Sequence, residues 1–269
     1  MVDNINNSSL TRIRTFGSSL NNLKSTTGKI SSGLKINDPK QNSSVFQIAQ
    51  QLSGDSAGMA ALKTSFTNAE AAVETALSAG QAVNDLLIDM KGKAIQASDP
   101  SLDDASRQAI DNEFKEMANQ VNSMVSTASF GDTNLVQNGA EDMQVLTSQD
   151  GDTITVNAQD MSTQGLNIDN VSLATQGDAA SALSSIDAAI ESSSSGLADL
   201  GSSSQSIQNQ AEFTTSMNNS INEGIGKMVD ADLGQESASL AAERVKTELG
   251  LRSLAIANAG PQAMKSLFK

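Results

Sequence analysis

Carboxylates, lysines and hydroxyl groups are the only side chains of this sequence that could take part in catalysis. The 269 residues include no histidine and no cysteine, which removes the usual general base near neutral pH, the Ser-His and Cys nucleophiles and the common zinc ligands. The acidic pairs are Asp103 with Asp104 and Asp230 with Asp232. Adjacent residues on a helix do not share a face, so the first pair predicts a solvated helix end rather than a catalytic dyad.

Two short motifs resemble ligand sites only superficially. Residues 149–152 (QDGD) lack the ligand spacing and the closing Glu of a calcium loop, and they are more typical of a β-turn. Residues 31–35 (SSGLK) have one glycine and no Gly-Lys-Ser/Thr, so they do not form a phosphate-binding loop. We therefore expect no enzyme activity, no metal site and no cofactor.

The composition excludes several kinds of partner. The net charge is −14 and the pI is about 4.3, whereas nucleic acids and anionic membrane surfaces need clustered basic residues. No stretch approaches the roughly 18 apolar residues of a membrane span, and the N-terminus has no apolar region typical of a cleaved signal peptide. We predict no nucleic-acid binding, no membrane insertion and, for an exported protein, export without a cleaved signal peptide.

A very long helix is the strongest structural prediction. From Val45 to Ala97, residues at alternating steps of three and four form one line on which only Asp55 is polar. That repeat is the signature of helices that wind around each other. A helix of this length would extend roughly 80 Å at about 1.5 Å per residue. The line consists of Val45, Ile48, Leu52, Asp55, Met59, Leu62, Phe66, Ala69, Val73, Ala76, Gly80, Val83, Leu87, Met90, Ala94 and Ala97.

Further helices are expected on both sides of this segment. A third helix should start after an N-cap at Ser101 and end near Ala128, and a fourth should cover residues 183–228 through two serine runs. An apolar face continues after residue 228 until Gly260 and Pro261 interrupt it. The N-terminal helix carries its own line, which Pro39 ends; it consists of Ile13, Phe16, Leu20, Leu23, Thr27, Ile30 and Leu34.

Strands are expected only in the middle of the chain. Alternating residues 143–147 and 153–156 flank an Asp-Gly turn, which favours a β-hairpin within the region of about 140–175. The predicted fold is mainly α: a long helical coiled-coil rod formed by paired N- and C-terminal segments, with a small β-hairpin insert. The apolar faces of the two ends either fold back onto the same chain or pack against other copies.

Several motifs, in order and at both ends, resemble bacterial flagellins. Residues 29–37 (KISSGLKIN) are similar to the flagellin stretch usually seen as RLSSGLRIN, and residues 151–156 (GDTITV) are similar to its GETITI hairpin. The other matching segments are 129–135 (SFGDTNL), 230–232 (DAD), 255–259 (AIANA), 261–262 (PQ) and 266–267 (SL). The resemblance covers nearly the whole chain.

The resemblance implies a structural subunit that polymerises into the extracellular flagellar filament for motility. Residues 1–38 with 229–269 would form the inner coiled-coil domain, and residues 39–228 the helical rod domain with the hairpin. Such proteins leave the cell through the flagellar type III apparatus. The implied partners are further copies of the chain, paralogous flagellins, an export chaperone, the filament cap and the hook–filament junction proteins.

The resemblance and the apolar lines together suggest the residues that carry these contacts. The subunit interface is expected to involve Ile13, Phe16, Leu20, Leu23, Ile30, Leu34, Leu233, Leu240, Val245, Leu249 and Ile256. The export chaperone, which holds the C-terminal helix in this family, is expected to contact Leu240, Val245, Leu249, Leu254 and Ile256.

One segment departs from the family pattern. Residues 87–96 (LIDMKGKAIQ) stand where many flagellins have LQRVRELAVQ, which the innate immune flagellin receptor binds. In this degenerate motif of Leu87, Asp89, Lys91 and Gly92, the aspartate replaces an Arg and the glycine replaces a Glu. We expect poor recognition by that receptor.

Three alternatives belong to other classes or subtypes. A hook–filament junction protein shares the paired terminal helices, but the ending of residues 257–262 (ANAGPQ) favours flagellin. A type III needle or translocator protein would lack the two-ended match, and a translocator would need an apolar segment that is absent from this sequence. A secreted enzyme on a helical scaffold would need catalytic groups, and this sequence has neither His nor Cys to supply them.

Overall fold

The computed structural model describes the backbone of residues 2–267 and the side chains of residues 10–257 and 259. In that part of the chain, five helices and one two-stranded antiparallel sheet confirm the predicted mainly α architecture with a hairpin insert. In chain order the elements are α1 (Val2–Ser32), α2 (Ser43–Ala97), α3 (Asp104–Thr127), β1 (Met143–Leu146), β2 (Thr153–Val156), α4 (Gln176–Val229) and α5 (Leu233–Leu267).

The chain divides into two compact units. Residues 1–56 and 220–269 form one, which we call the terminal unit, and residues 57–219 form the other, the central unit. The terminal unit contains α1 and α5, and the central unit contains α3 and the hairpin. The predicted layer boundaries after residue 38 and before residue 229 concern the assembled protein and remain a prediction.

The core of the central unit follows the predicted line of α2. From Leu62 to Ala97, every residue on that line is buried. On α4 the predicted line also faces the core, and Ser193 and Ser204 are buried within it. The helix therefore continues through both serine runs, as the periodicity predicted, because the intervening apolar residues keep one buried face.

A methionine inserted between two glycines fixes the long loop that follows the hairpin. A Cβ atom at Gly80 of α2 would lie 2.7 Å from Met161 Sδ and 2.8 Å from Leu197 Cδ2. A Cβ atom at Gly196 of α4 would lie 3.2 Å from Met161 Cε. Both helices thus leave space at one level for the same side chain, which is buried.

The hairpin lies against α2 and α4. Its register pairs Met143 with Val156 and Leu146 with Thr153. At the turn, the side chain of Gln149 covers Gly58 so closely that a Cβ atom there would collide with it. The sequence predicted the hairpin and its turn, but it did not indicate this contact with α2.

A buried carboxylate connects α3 to the segment that leads into α4. Asp111 accepts hydrogen bonds from the Leu173 amide at 2.6 Å, the Ser172 hydroxyl at 3.1 Å and Lys115 Nζ at 2.6 Å. Burial by itself raises the pKa of Asp111, but these hydrogen bonds and the lysine charge lower it by more, so the pKa lies below its ordinary value. The carboxylate is therefore ionised in the folded chain near neutral pH, and it is the partner that the Leu173 amide requires.

A buried arginine has a comparable role at the connection between α2 and α3. Arg107 is 5% exposed and its Nη2 donates to the carbonyl oxygens of Asp99, at 3.3 Å, and Leu102, at 3.1 Å. These carbonyls belong to the turn that reverses the chain between the two helices. The guanidinium thus adds a second donor to the Asp99 carbonyl, which also accepts from the Leu102 amide at 3.3 Å, and it supplies a donor to the Leu102 carbonyl.

The structure corrects two predicted helix boundaries. The N-cap of α3 is Asp103, which accepts a hydrogen bond from the Ser106 amide at 2.7 Å; Ser101 instead donates to Asp99. Near the C-terminus of the chain, α5 continues past Pro261 to Leu267, so the predicted interruption of this helix is wrong. Proline removes one amide donor from a helix but its own φ is compatible with helical backbone.

Charge is distributed very unequally between the two units. The terminal unit carries twelve basic and nine acidic residues, a formal charge of +3. The central unit carries five basic and twenty-two acidic residues, a formal charge of −17. The net negative charge of the sequence therefore arises entirely from residues 57–219.

No helix among the described residues combines the length and the apolar character needed to cross a membrane. The same residues contain no group of three or more acidic side chains arranged to hold a metal ion.

Candidate assembly surface

The terminal helices α1 and α5 pair with each other in antiparallel orientation. Lys29 near the end of α1 contacts Glu236 near the start of α5, with Nζ and Oε1 2.8 Å apart. At the other end of the pair, Arg12 Nη1 donates to the carbonyl of Ser253 at 3.3 Å. The predicted pairing of the N- and C-terminal segments is present within one chain.

A short backbone bridge joins the two turns that precede α2 and α5. The Lys35 amide donates to the Val229 carbonyl at 2.7 Å, and the Ala231 amide donates to the Gly33 carbonyl at 2.8 Å. We call these residues, 33–35 and 229–231, the clasp. Both halves of the clasp come from segments that the sequence singled out, residues 29–37 and 230–232.

The contact surface between α1 and α5, which we call the seam, is unusually polar. Half-buried residues of α5 recur at steps of three and four, as in a coiled coil. Only two of the seven residues on this line are large and apolar. The seven residues are Glu236, Leu240, Glu243, Thr247, Gly250, Leu254 and Ala257.

On α1 the seam is only partly the line that the sequence predicted. Phe16, Leu23 and Ile30 are half-buried as expected, but Ile13 is 55% and Leu20 is 42% exposed. Ser19, which is half-buried, and Thr26, which is buried, complete the repeat of three and four residues that Phe16, Leu23 and Ile30 begin. The apolar residues of α1 are therefore divided between the seam and the solvent-facing edge beside it.

Among the described residues of α5, the most exposed large apolar side chains lie on the face away from the seam. Val245 is 57%, Leu249 is 60% and Ile256 is 73% exposed. Their spacing places them on one side of a helix with 3.6 residues per turn. We call these three residues the outer stripe.

Eleven residues were predicted to form the subunit interface, and the single chain separates them into two groups. Five are half-buried: Phe16, Leu23, Ile30, Leu34 and Leu240. Six remain exposed: Ile13, Leu20, Leu233, Val245, Leu249 and Ile256. Sequence reasoning missed Leu10 and Leu251, which are 53% and 54% exposed and lie off the predicted lines. Among the predicted chaperone contacts, Leu240 and Leu254 face the seam and the outer stripe does not.

The residues of the degenerate receptor motif do not form one surface. Leu87 is completely buried, whereas Asp89 is exposed. Lys91 Nζ is 2.6 Å from a carboxylate oxygen of Asp187 on α4. A protein that binds this segment from outside would therefore contact the aspartate and not the leucine.

One open groove of about 340 Å³ is lined by Asp132, Glu141 and Asp142, and the described acidic residues form no metal-binding group. Another open groove of about 330 Å³ lies between α2 and β1, and no charged side chain lines it. Its polar lining consists of Ser65, Asn68, Thr133 and Gln144. The exposed apolar residues of the terminal helices remain the most distinctive feature of the described surface.

The sequence matches two family models that together cover most of the chain. One describes the bacterial flagellin N-terminal helical region and matches residues 4–141. The other describes the bacterial flagellin C-terminal helical region and matches residues 183–268. The chain belongs to the bacterial flagellin family. As a flagellin, it is a structural subunit of the extracellular filament that serves motility.

Individual relatives agree with that assignment. Flagellin FljK of Caulobacter vibrioides is 34% identical over 242 residues, which cover 90% of this flagellin and 89% of the relative. A flagellin of Brucella melitensis is 32% identical over 277 residues, which cover 98% of both chains. A solved structure of a putative flagellar hook-associated protein from Vibrio parahaemolyticus aligns with a TM-score of 0.57 at 13% identity, over 71% of this chain and 98% of that one. That similarity concerns the fold alone.

Replacing Gly33 in the clasp by alanine is expected to weaken filaments of this flagellin. Gly33 has φ +73, and a residue with a Cβ atom in this left-handed conformation costs about 1–2 kcal/mol. No atom lies within 4 Å of the added Cβ, so backbone strain is the only expected cost. The measurement is the temperature at which filaments depolymerise, which should fall.

Gly28 supplies a matched control on the same helix. It lies within α1, no atom lies within 4 Å of an added Cβ, and Gly28→Ala should stabilise the helix by about 0.5–1 kcal/mol. The two substitutions add the same methyl group and should shift the temperature in opposite directions. Equal shifts would contradict a strained clasp.

Proposed function

We propose that this flagellin enters the filament by burying the exposed apolar residues of its paired terminal helices against neighbouring copies. The single observation that supports this is the outer stripe, three large apolar side chains on one face of α5 that are 57–73% exposed in the single chain. Contiguous apolar surface of this kind marks protein interaction sites. Complete burial of each side chain contributes about 1.5–3 kcal/mol.

The proposal includes ordering of the terminal helices on assembly. The seam has few apolar contacts, and fixing the backbone costs about 1–2 kcal/mol per residue. A pair of helices held mainly by polar contacts does not offset that cost alone. Neighbouring copies would supply the missing apolar contacts, so folding of the terminal unit would be coupled to polymerisation.

Limited proteolysis combined with electron microscopy tests this proposal on the full chain. The soluble subunit should lose both ends and leave a resistant core close to residues 57–219, whereas subunits in filaments should resist cleavage throughout. Filaments should be visible after salt-induced polymerisation. A soluble chain with equally resistant ends, or a chain that forms no filaments, would reject the proposal.

We also propose the layer arrangement that the resemblance implies. Residues 1–38 and 229–269 would form the inner coiled-coil layer, and residues 39–228 the helical layer around it. The charge distribution supports this arrangement, because a central unit with −17 is better placed next to solvent than inside a polymer.

We infer that export and capping follow the family pattern. The chain would leave the cell through the flagellar type III apparatus without a cleaved signal peptide. An export chaperone would cover Leu240, Val245, Leu249, Leu254 and Ile256 before assembly, because three of these are exposed and would otherwise promote premature polymerisation. In the flagellum, this chain would contact the filament cap, the hook–filament junction proteins and paralogous flagellins. We propose a purely structural role without catalysis, a metal or a cofactor.

We propose poor recognition by the innate immune flagellin receptor. The exposed Asp89 stands where the family motif has a cation, and Lys91 is already paired with Asp187. A reporter cell line for that receptor should respond far less to this flagellin than to one with the LQRVRELAVQ segment. Restoring that segment in residues 87–96 provides the control, and full activation by the unaltered chain would contradict the proposal.

A further inference from the structure

The polar and apolar residues of α5 are distributed over its two faces in a way that pairing with α1 alone does not explain. The face toward α1 carries Glu236, Glu243, Thr247 and Gly250 beside only two large apolar residues, Leu240 and Leu254, whereas the face toward solvent carries the three residues of the outer stripe. In an isolated pair, burial of apolar side chains would favour rotating α5 so that the outer stripe meets α1. Some contact must therefore hold α5 in the observed orientation.

We propose that the ion pair between Lys29 and Glu236 is a positioning contact that keeps the polar face of α5 toward α1 and thereby presents the outer stripe to other copies. The inference rests on the proposed function, because it concerns how the same assembly surface is oriented. Buried or half-buried polar contacts in helix pairs are known to fix orientation and register at some cost in stability.

The geometry of this ion pair suits that role. Lys29 Nζ and Glu236 Oε1 are 2.8 Å apart, and the two side chains are only 28% and 17% exposed. Lys29 lies in the last turn of α1 and Glu236 in the first turn of α5, so each charge also suits the dipole of its own helix. The contact lies close to the clasp, where a rotation of α5 would begin.

A second contact further along the pair agrees with the same orientation. The ring of Phe16 lies over Gly250, where a Cβ atom would be 3.1 Å from Phe16 Cδ2. A larger residue at that position would push the aromatic ring away. The glycine thus makes room for the apolar residue of α1 only when this face of α5 is turned inward.

Disulfide trapping can measure the orientation, because the natural chain has no cysteine. Ser19 and Thr247 both face the seam, and they lie between the level of the ion pair and that of Phe16 with Gly250. The cysteine pair Ser19→Cys with Thr247→Cys should therefore cross-link, and Ser19→Cys with Val245→Cys should not. The yield ratio of the two intrachain disulfides should be at least about fivefold in filaments of the otherwise natural chain.

The neutral variant Lys29→Met with Glu236→Met should bring this ratio close to one. The exchanged variant Lys29→Glu with Glu236→Lys should restore most of it, with some loss because both charges then oppose the helix dipoles. Neutralising Glu248 and Arg252, an exposed pair within α5 whose charged atoms are 2.6 Å apart, provides the matched control and should leave the ratio unchanged. An unchanged ratio in the neutral variant would overturn the inference, as would an equal loss in the control.

The same experiment separates this inference from the proposed function. Serine at both Val245 and Leu249 should raise the critical concentration for assembly, and filaments formed above that concentration should keep the natural ratio of the two cross-links. If that chain assembles normally, the proposed function fails and the orientation result stands. If the natural chain assembles through the outer stripe but the neutral variant keeps its cross-linking ratio, only the orientation inference fails.

Discussion

Replacing Val245 and Leu249 together by serine is expected to raise the critical concentration for filament assembly by roughly a hundredfold. Complete burial of each side chain contributes about 1.5–3 kcal/mol, but serine keeps part of the contact and the surface is already partly covered. A net loss of about 2.7 kcal/mol corresponds to the stated factor, since about 1.4 kcal/mol is a factor of ten. Both residues are more than half exposed in the single chain, so the substitutions should leave its core intact.

The measurement is the concentration of soluble subunit that remains in equilibrium with sedimented filaments. Ala241→Ser with Ala242→Ser provides the control, because both alanines are exposed on the same helix and the added hydroxyls remove no large apolar side chain. The circular dichroism of the soluble variants should match that of the unaltered chain. A double serine variant that assembles at the natural concentration would remove the outer stripe from the interface.

The central unit was largely predictable from the sequence because its helices bury their apolar faces within the same chain. On α2 the apolar line from Leu62 to Ala97 is wholly buried, and a strict repeat of three and four residues is sufficient to identify such a face. The hairpin was equally clear, since alternating residues on both sides of an Asp-Gly turn strongly favour two paired strands. In both cases the local pattern identifies the same residues that form the tertiary contact.

The terminal helices were less predictable because their apolar residues serve two kinds of contact. The predicted line on α1 combined Phe16, which faces the seam, with Ile13 and Leu20, which face solvent. Periodicity identifies a broad apolar face, but it does not say which part meets the same chain and which part is left for another copy. Ser19 and Thr26, which complete the seam, carry no apolar signal at all.

Contacts that depend on a single atom, or on the missing side chain of a glycine, could not be predicted from the sequence. Asp111 looked like any other exposed helix acid, yet its carboxylate is buried and accepts from the Leu173 amide. Gly80 belongs to the predicted line of α2, but the sequence did not indicate that it makes room for Met161. Both contacts join segments that are distant in the chain, so no local pattern records them.

The unequal distribution of charge has a direct consequence for polymerisation. A filament brings many central units close together, and each carries a formal charge of −17. The terminal units, at +3, do not offset this charge. Like charges at this density repel over the Debye length, which is about 30 Å at 0.01 M salt and about 10 Å at 0.1 M. In the proposed assembly, apolar contacts between terminal helices therefore work against an electrostatic repulsion that depends on salt.

Raising sodium chloride from 10 mM to 200 mM should lower the critical concentration by at least about tenfold, because repulsion between neighbouring central units is then screened. A variant with four exposed acids of the central unit changed to amides should respond to salt less steeply and should assemble more readily at 10 mM. Its substitutions are Glu116→Gln, Asp132→Asn, Glu141→Gln and Asp199→Asn. The matched control changes exposed Glu223 and Asp232 of the terminal unit to amides and should keep the natural slope. A critical concentration that does not depend on salt would mean that central units lie too far apart in the filament to repel each other, which would contradict the inferred repulsion.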